Sequence, residues 1–264
     1  MTGFLLVNPR SGDGEPTPLA LRRSAGSLGV EVHVLEPEDD PAALAREATA
    51  EVLGMAGGDG SLAAVAAVAV ARNLPFVAIP FGTRNHFARD LGLDRGDPLG
   101  TLAAFGGEER RVDIGRVNGR LFLNNVSVGA YARLVHRREH HRRRRLALAR
   151  GRALLVSLLE RHGLSLTVDG TPASVRVLLV ANGAYELDLL TIGERASLEE
   201  GRLHLYLLRG WLPQSWEEQS AASFTVGSGR PTLRTAIDGE PALLSTPLTV
   251  TIEPGALRVL VPPA

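Results

Sequence analysis

Cysteine and lysine are both missing from this chain of 264 residues. Without cysteine there is no disulfide framework, no thiolate nucleophile and no Cys-ligated zinc site, and the balance leans towards a reducing compartment. All 29 basic residues are arginine, which excludes a Walker-type loop with its phosphate-binding lysine and also Schiff-base chemistry. Acidic residues also number 29, so the formal net charge is zero and no global field recruits nucleic acid or an anionic surface. Long apolar runs are scarce: the longest, residues 62–71, is too short to span a bilayer. The opening MTGFLLVNPR has strand length, no basic leader and no cleavage-like site. Together these features lead us to expect a soluble cytoplasmic protein of one large domain or two modest ones.

What is present divides into two patterns. In the first part, strand and helix signals alternate. FLLVN (4–8), VEVHVL (30–35), VLGMA (52–56) and PFVAI (75–79) read as strands, with helix-like segments at 19–28 and after DDP at 39–41. Repeated strand–loop–helix units predict a mostly parallel open sheet with crossover helices. After Gly107 the pattern changes. Asn118-Gly119 and Asp169-Gly170 lie between alternating runs, which is strong hairpin chemistry. LHLYLLR, TLRTAID, LTVTI and LRVLV follow, separated by turn residues. The expected organisation is an α/β domain over 1–113. A mostly antiparallel β domain follows over 114–264, with a basic helical insertion at 131–161.

The chemistry concentrates in small-residue loops at strand ends. Gly57-Gly58-Asp59-Gly60-Ser61 follows one strand and opens a helix whose run LAAVAAVAVA has no polar face, the mark of a buried helix. Glycines admit close backbone approach by a ligand, and a helix N-terminus favours an anion. Asp59 has two readings: a cation accompanies a bound phosphate there, or the aspartate simply caps a tight turn. Pro80-Phe81-Gly82-Thr83-Arg84-Asn85 repeats the arrangement, with Thr83 and Asn85 as hydroxyl and amide donors, and Asn8-Pro9-Arg10-Ser11-Gly12 forms a third such strand end. Three small polar loops converging on one crevice suit a polyphosphate bound by backbone N–H groups, hydroxyls, arginine and metal.

NPRSG, GGDGS, PFGTRNHFAR, NNVSVGA and IDGE, in that order, resemble the diacylglycerol kinase catalytic-domain family, which includes bacterial soluble lipid kinases and the sphingosine and ceramide kinases. The resemblance implies an ATP- and Mg2+-dependent kinase acting on a lipid hydroxyl, with a nucleotide domain, a β-sandwich-like domain and a cleft between them. By position, Gly57, Gly58, Asp59, Gly60 and Ser61 would surround the phosphates, and Thr83 and Asn85 would meet the nucleotide. Asn8, Ser11 and Gly12 would line the cleft, with Glu240 on the nucleotide side. Asp238 would be the general base, although Asp238-Gly239 is also ordinary turn chemistry. Asp59 and Asp113 would hold magnesium through water, and Ser197, Glu200 and Arg202 would correspond to a structural metal site built largely from carbonyls.

Several positions depart from that pattern. His86 stands where the family has a metal-network aspartate, Ala63 and Ala64 replace an Asn-Glu pair, Leu35 replaces a threonine, and Glu200 replaces an aspartate. A catalytically degenerate nucleotide- or phospholipid-binding homologue is therefore one alternative, and another small-molecule kinase such as an NAD kinase is a second. His86 reads either as a hydrogen-bonded structural imidazole or as a new catalytic or switch group. Ten arginines lie between Arg133 and Arg161. The segment 133–152 reads either as a contact with anionic lipid, making the protein peripheral at a membrane, or as a solvated charged stretch. Few aromatics interleave with these arginines, so nucleic acid is not the expected partner.

Overall fold

The computed structural model describes residues 2–12, 15–129, 163–187, 192–209 and 216–263. The expected insertion at 131–161 and the Arg-rich segment 133–152 lie outside the described residues. Two compact units emerge: Met1–Ile114 with Glu194–Glu200 and Pro254–Ala264, and Gly115–Gly193 with Gly201–Glu253. The chain thus returns to the first unit twice after leaving it.

In the first unit the alternation of strand and helix signals becomes β1 (Gly3–Val7), α1 (Pro18–Ser27), β2 (Val30–Val34), α2 (Pro41–Glu47), β3 (Val52–Gly57), α3 (Asp59–Arg72), β4 (Phe76–Pro80) and α4 (His86–Asp90). Proline at the first turn, preceded by a hydroxyl or carboxylate cap, starts α1 and α2: Thr17 Oγ1 accepts from Ala20 N at 3.2 Å and Asp40 Oδ1 from Ala42 N at 2.9 Å. The strands pair in parallel in the order β2-β1-β3-β4, and Val259 of the chain's final strand extends the sheet beside Phe76. β1, β3 and β4 are buried along their whole length, as parallel strands covered on both faces must be. Leu5, Val7, Leu21, Val52, Val77 and Ile79 anchor the core. α3 is less enclosed than its apolar sequence suggests: Leu62, Val65, Ala66, Val68 and Ala69 are buried, while Ala63, Ala64 and Ala67 are half-buried. Small side chains there leave little apolar surface in water.

The second unit is an antiparallel sandwich. β5 (Glu108–Val117) leads into β6 (Arg120–Phe122) and β7 (Asn125–Gly129), followed by β8 (Leu164–Val168), β9 (Thr171–Val175), β10 (Val177–Asn182), β11 (Tyr185–Leu187), β12 (Ile192–Arg195), β13 (Leu203–Leu208), β14 (Trp216–Ala221), β15 (Ser223–Ser228), β16 (Thr232–Ile237), β17 (Glu240–Ser245) and β18 (Leu248–Val261). One layer has the order β14-β13-β10-β7-β16-β17; the other joins β9, β8, β15 and the first part of β18. Val126, Val128, Val180 and Leu205 from the first layer pack with Leu166, Val168, Phe224 and Val250 from the second. Asn118-Gly119, Asp169-Gly170 and Asp238-Gly239 all have positive φ at both positions, the backbone that two-residue hairpins require. They join β5 to β6, β8 to β9 and β16 to β17. The fold class is therefore an α/β unit with a mostly parallel sheet and an antiparallel β-sandwich unit. Among the described residues no helix is long and apolar enough to cross a membrane.

Candidate functional site

The order β2-β1-β3-β4 changes winding direction between β1 and β3. Open parallel sheets bind ligands at such a reversal, beyond the carboxyl ends of the strands. The loops leaving β1, β3 and β4 at that edge are 8–12, 58–61 and 81–85. They pack closely. Asn8 Nδ2 donates to Ser61 Oγ at 3.1 Å, tying the first loop to the second. Asn8 Oδ1 accepts from Arg10 N, and Ser11 N donates to Asn8 O, so the first loop curls on itself. A Cβ on Gly12 would lie 3.3 Å from Phe81 O; one on Gly82 would lie 2.7 Å from Gly58 Cα. Thus Asn8, Gly12, Gly57, Gly58, Asp59, Gly60 and Ser61 cluster with Gly82 and Asn85, while Thr83 sits exposed on the third loop.

Gly58 caps α3 without any side-chain hydrogen bond, and a Cβ placed on it would meet no atom within 4 Å. Open space over the N-terminus of a four-turn helix, fringed by N–H groups that have no intrahelical partner, favours an anion. The Asp59 carboxylate reaches α4, where Oδ1 accepts from Phe87 N at 3.1 Å and Oδ2 from His86 N at 3.3 Å.

Asn85, read from the sequence as an amide donor, ends the third loop. It is almost fully buried, with φ at +49°. Its Nδ2 donates to Gly82 O at 2.7 Å, and its Oδ1 has no hydrogen-bond partner. The amide thus offers a buried acceptor beside the second hydrogen of its NH2 group. His86 begins α4. Loss of solvent holds its imidazole below the ordinary value, Asp59 opposes that shift, and Arg89 and Arg84 reinforce it; the ring is neutral at pH 7. At the other end of α4, Asp90 carries a fully buried carboxylate. Its Oδ1 accepts from Arg89 Nε and Nη2 at 2.9 and 2.7 Å, and its Oδ2 from Arg195 Nε at 2.6 Å.

The remaining metal candidates have partners of their own. Asp113 on β5 is buried, with Oδ1 accepting from Gly255 N at 2.8 Å and its own N–H donating to Leu198 O. Ser197 Oγ accepts from Glu199 N, and Glu199 pairs with Arg110 at 3.0 Å. Glu200 belongs to the first unit and Arg202 to the second, where the Arg202 carbonyl accepts from Gly183 N. Among the described residues no group of three or more His, Asp or Glu side chains is placed to hold a metal ion.

In the second unit Asp238 is buried within its hairpin turn. Its Oδ2 accepts from Leu123 N at 2.8 Å, and its Oδ1 accepts from Asn124 N and Asn125 N at 2.7 and 3.0 Å. The carboxylate is therefore the keystone of the bend between β6 and β7. Glu240, the first residue of β17, is exposed. Of the departures, Leu35 is buried and prolongs β2 by an N–H bond to Val7 O. Sequence reasoning passed over Asp90 and Arg195; 105 residues separate them, so no local pattern reveals the pair.

An α/β unit with glycine loops at its winding reversal and an antiparallel β-sandwich unit define a two-unit α/β-plus-sandwich class of fold. Residues 2–117 match the family model of the diacylglycerol kinase catalytic domain. A protein of Pseudomonas aeruginosa named "Probable lipid kinase YegS-like" is 39% identical over 116 residues, which cover 42% of this chain and 38% of that protein. The "Diacylglycerol kinase" of Bacillus subtilis is 40% identical over 84 residues, 31% of this chain and 28% of that one. The chain thus spans well under half the length of these curated relatives. A solved diacylglycerol kinase structure from Bacillus anthracis str. Sterne aligns over 98% of this chain and 96% of its own, with TM-score 0.75 and 17% identity. The family match thus ends at residue 117, and likeness of fold extends over nearly the whole chain.

Proposed function

We propose that the protein transfers the γ-phosphoryl group of ATP to the hydroxyl of a diacylglycerol-like lipid. One observation supports the nucleotide half of this reading: at the winding reversal the three loops pack against one another, and the Cβ direction of Gly58, at the N-terminus of α3, is open. The names of the matched relatives support the lipid half. In this reading N–H groups of 58–61, with Ser61 and Asn8, bind phosphate oxygens, and the buried acceptor of Asn85 receives a nucleotide or water donor. Magnesium, with Asp59 and Asp113 as its candidate carboxylates, supplies charge neutralisation for the triphosphate when bound. Asp238 is the candidate acceptor of the lipid hydroxyl proton. The segment 133–152 is the candidate contact with anionic lipid, a contact that salt weakens.

The engagement of Asp238 favours a second reading, nucleotide binding without turnover. Three N–H donors already hold that carboxylate, and a group so held is suited to shaping a bend. Incubation with ATP, magnesium and a lipid panel separates the two. Lipid product from the wild type, lost in Asp238→Asn while ATP affinity persists, supports the kinase reading. ATP affinity without product in any lipid fraction supports the second, and no nucleotide affinity at all overturns both. Asparagine offers one acceptor and turns an NH2 towards a backbone donor. Asp238→Asn therefore costs about 1–3 kcal/mol of stability, and its assay belongs at a temperature where circular dichroism shows it folded.

A further inference from the structure

The geometry points to the Asp90–Arg195 ion pair as a positioning clamp that fixes loop 81–85, and through it the nucleotide. This rests on the nucleotide reading above. α4 has only five residues, too few to hold helical geometry alone. Its ends are fixed from outside. Asp59 caps the first N–H groups, and the Asp90 carboxylate anchors the last turn. Between β4 and this short helix lies Asn85, a non-glycine residue in the left-handed region with an unpartnered buried oxygen. Such a conformation persists only where the surroundings over-determine it.

Arg195 reaches α4 from a segment that is itself secured to the first unit. Leu198 is buried and its carbonyl accepts from Asp113 N at 2.8 Å. The Asp90 and Arg195 side chains are both fully buried, at 2.6 Å. A buried charge-assisted bond is directional, and removing one partner leaves the other charge uncompensated. An apolar contact of similar size would tolerate sliding of α4, whereas this pair does not. Arg89 takes the opposite oxygen of the same carboxylate, so the carboxylate is held from two sides. Arg195 is thus a positioning residue, acting on the loop through α4.

The test compares wild type with Arg195→Met and with Asp90→Asn/Arg195→Gln, which removes both fully buried charges and leaves only the part-exposed Arg89 guanidinium beside position 90. Glu199→Gln, which breaks only an exposed pair on the same segment, is the control. Amide hydrogen exchange is read in the nucleotide-free protein, and magnesium–ATP affinity by calorimetry. The expected result is faster exchange confined to residues 81–90, with affinity about tenfold weaker in the clamp variants and unchanged in the control. Unchanged exchange at 81–90 overturns the clamp. Faster exchange with wild-type affinity overturns the positioning role and leaves a purely structural pair. A wild type that binds no magnesium–ATP fails at the first titration; it overturns the nucleotide reading and, with it, the inference drawn on that reading.

Discussion

His86 shows how one side chain takes its character from its surroundings. The sequence marks it as a departure, an imidazole where relatives of the pattern carry a carboxylate. In the structure its N–H serves the Asp59 cap and its ring loses solvent, which depresses its proton affinity. The sign of the consequence follows directly. A folded-state pKa below the ordinary 6.5 means that the unfolded chain takes up the proton first as pH falls. The neutral ring's contribution is fully present above that value and is lost as pH drops towards the folded one. His86→Gln should therefore flatten the decline in stability between about pH 7.5 and 5.5. Urea midpoints at the two ends of that range read this directly; a slope equal to wild type would show that His86 is not the titrating group. Asn85 teaches a complementary lesson: its amide was legible as a polar loop residue, but only the structure shows its Nδ2 bonded to Gly82 O and its Oδ1 buried without a partner.

At the scale of the element, the loop around Gly58 separates packing from binding. A Cβ on Gly82 would meet Gly58 Cα at 2.7 Å and Asn85 Oδ1 at 2.8 Å, whereas one on Gly58 meets nothing. Gly58 also has an extended backbone that alanine adopts without strain. Gly82→Ala should cost roughly 1–3 kcal/mol, because two loops must move apart. Gly58→Ala should keep wild-type stability and weaken ATP affinity, since its methyl group occupies the space proposed for phosphate. Thermal melts beside ATP titrations decide the matter; a Gly58→Ala protein with undiminished affinity places the phosphates elsewhere. The elements themselves were largely readable. Strand–helix alternation gave the parallel sheet, and Asn118-Gly119 and Asp169-Gly170 gave their hairpins because positive φ at both turn positions selects those residues. For α3 the apolar run suggested burial on all sides, yet Ala63, Ala64 and Ala67 remain half-buried, since composition does not say which face a neighbour covers.

The whole molecule is not a simple succession of two units. Pro254–Ala264 packs with the first unit, placing Leu257, Val259 and Leu260 out of solvent. Burying three such side chains contributes roughly 5–9 kcal/mol, comparable with the ~5–15 kcal/mol that stabilises an entire domain. A fragment ending at residue 117, where the family match ends, should consequently fail to fold cooperatively. Circular dichroism and urea titration of that fragment check this, and a sharp two-state transition of ordinary stability would contradict it.

The sequence by itself pointed to the parallel strands, the helices between them, the Asn-Gly and Asp-Gly hairpins and the glycine loops, because each depends on neighbours within a few residues; it did not mark β14, β15 or β17, and it split β18, which runs unbroken over Leu248–Val261, into LTVTI and LRVLV. It also excluded lysine and cysteine chemistry outright. Only the tertiary structure decided that Asp59 caps α4, that Asp238 holds the bend at 123–125, and that Arg195 meets Asp90 across 105 residues. Those outcomes depend on which side chains share a buried volume after the chain has closed on itself, and local spacing carries no record of that.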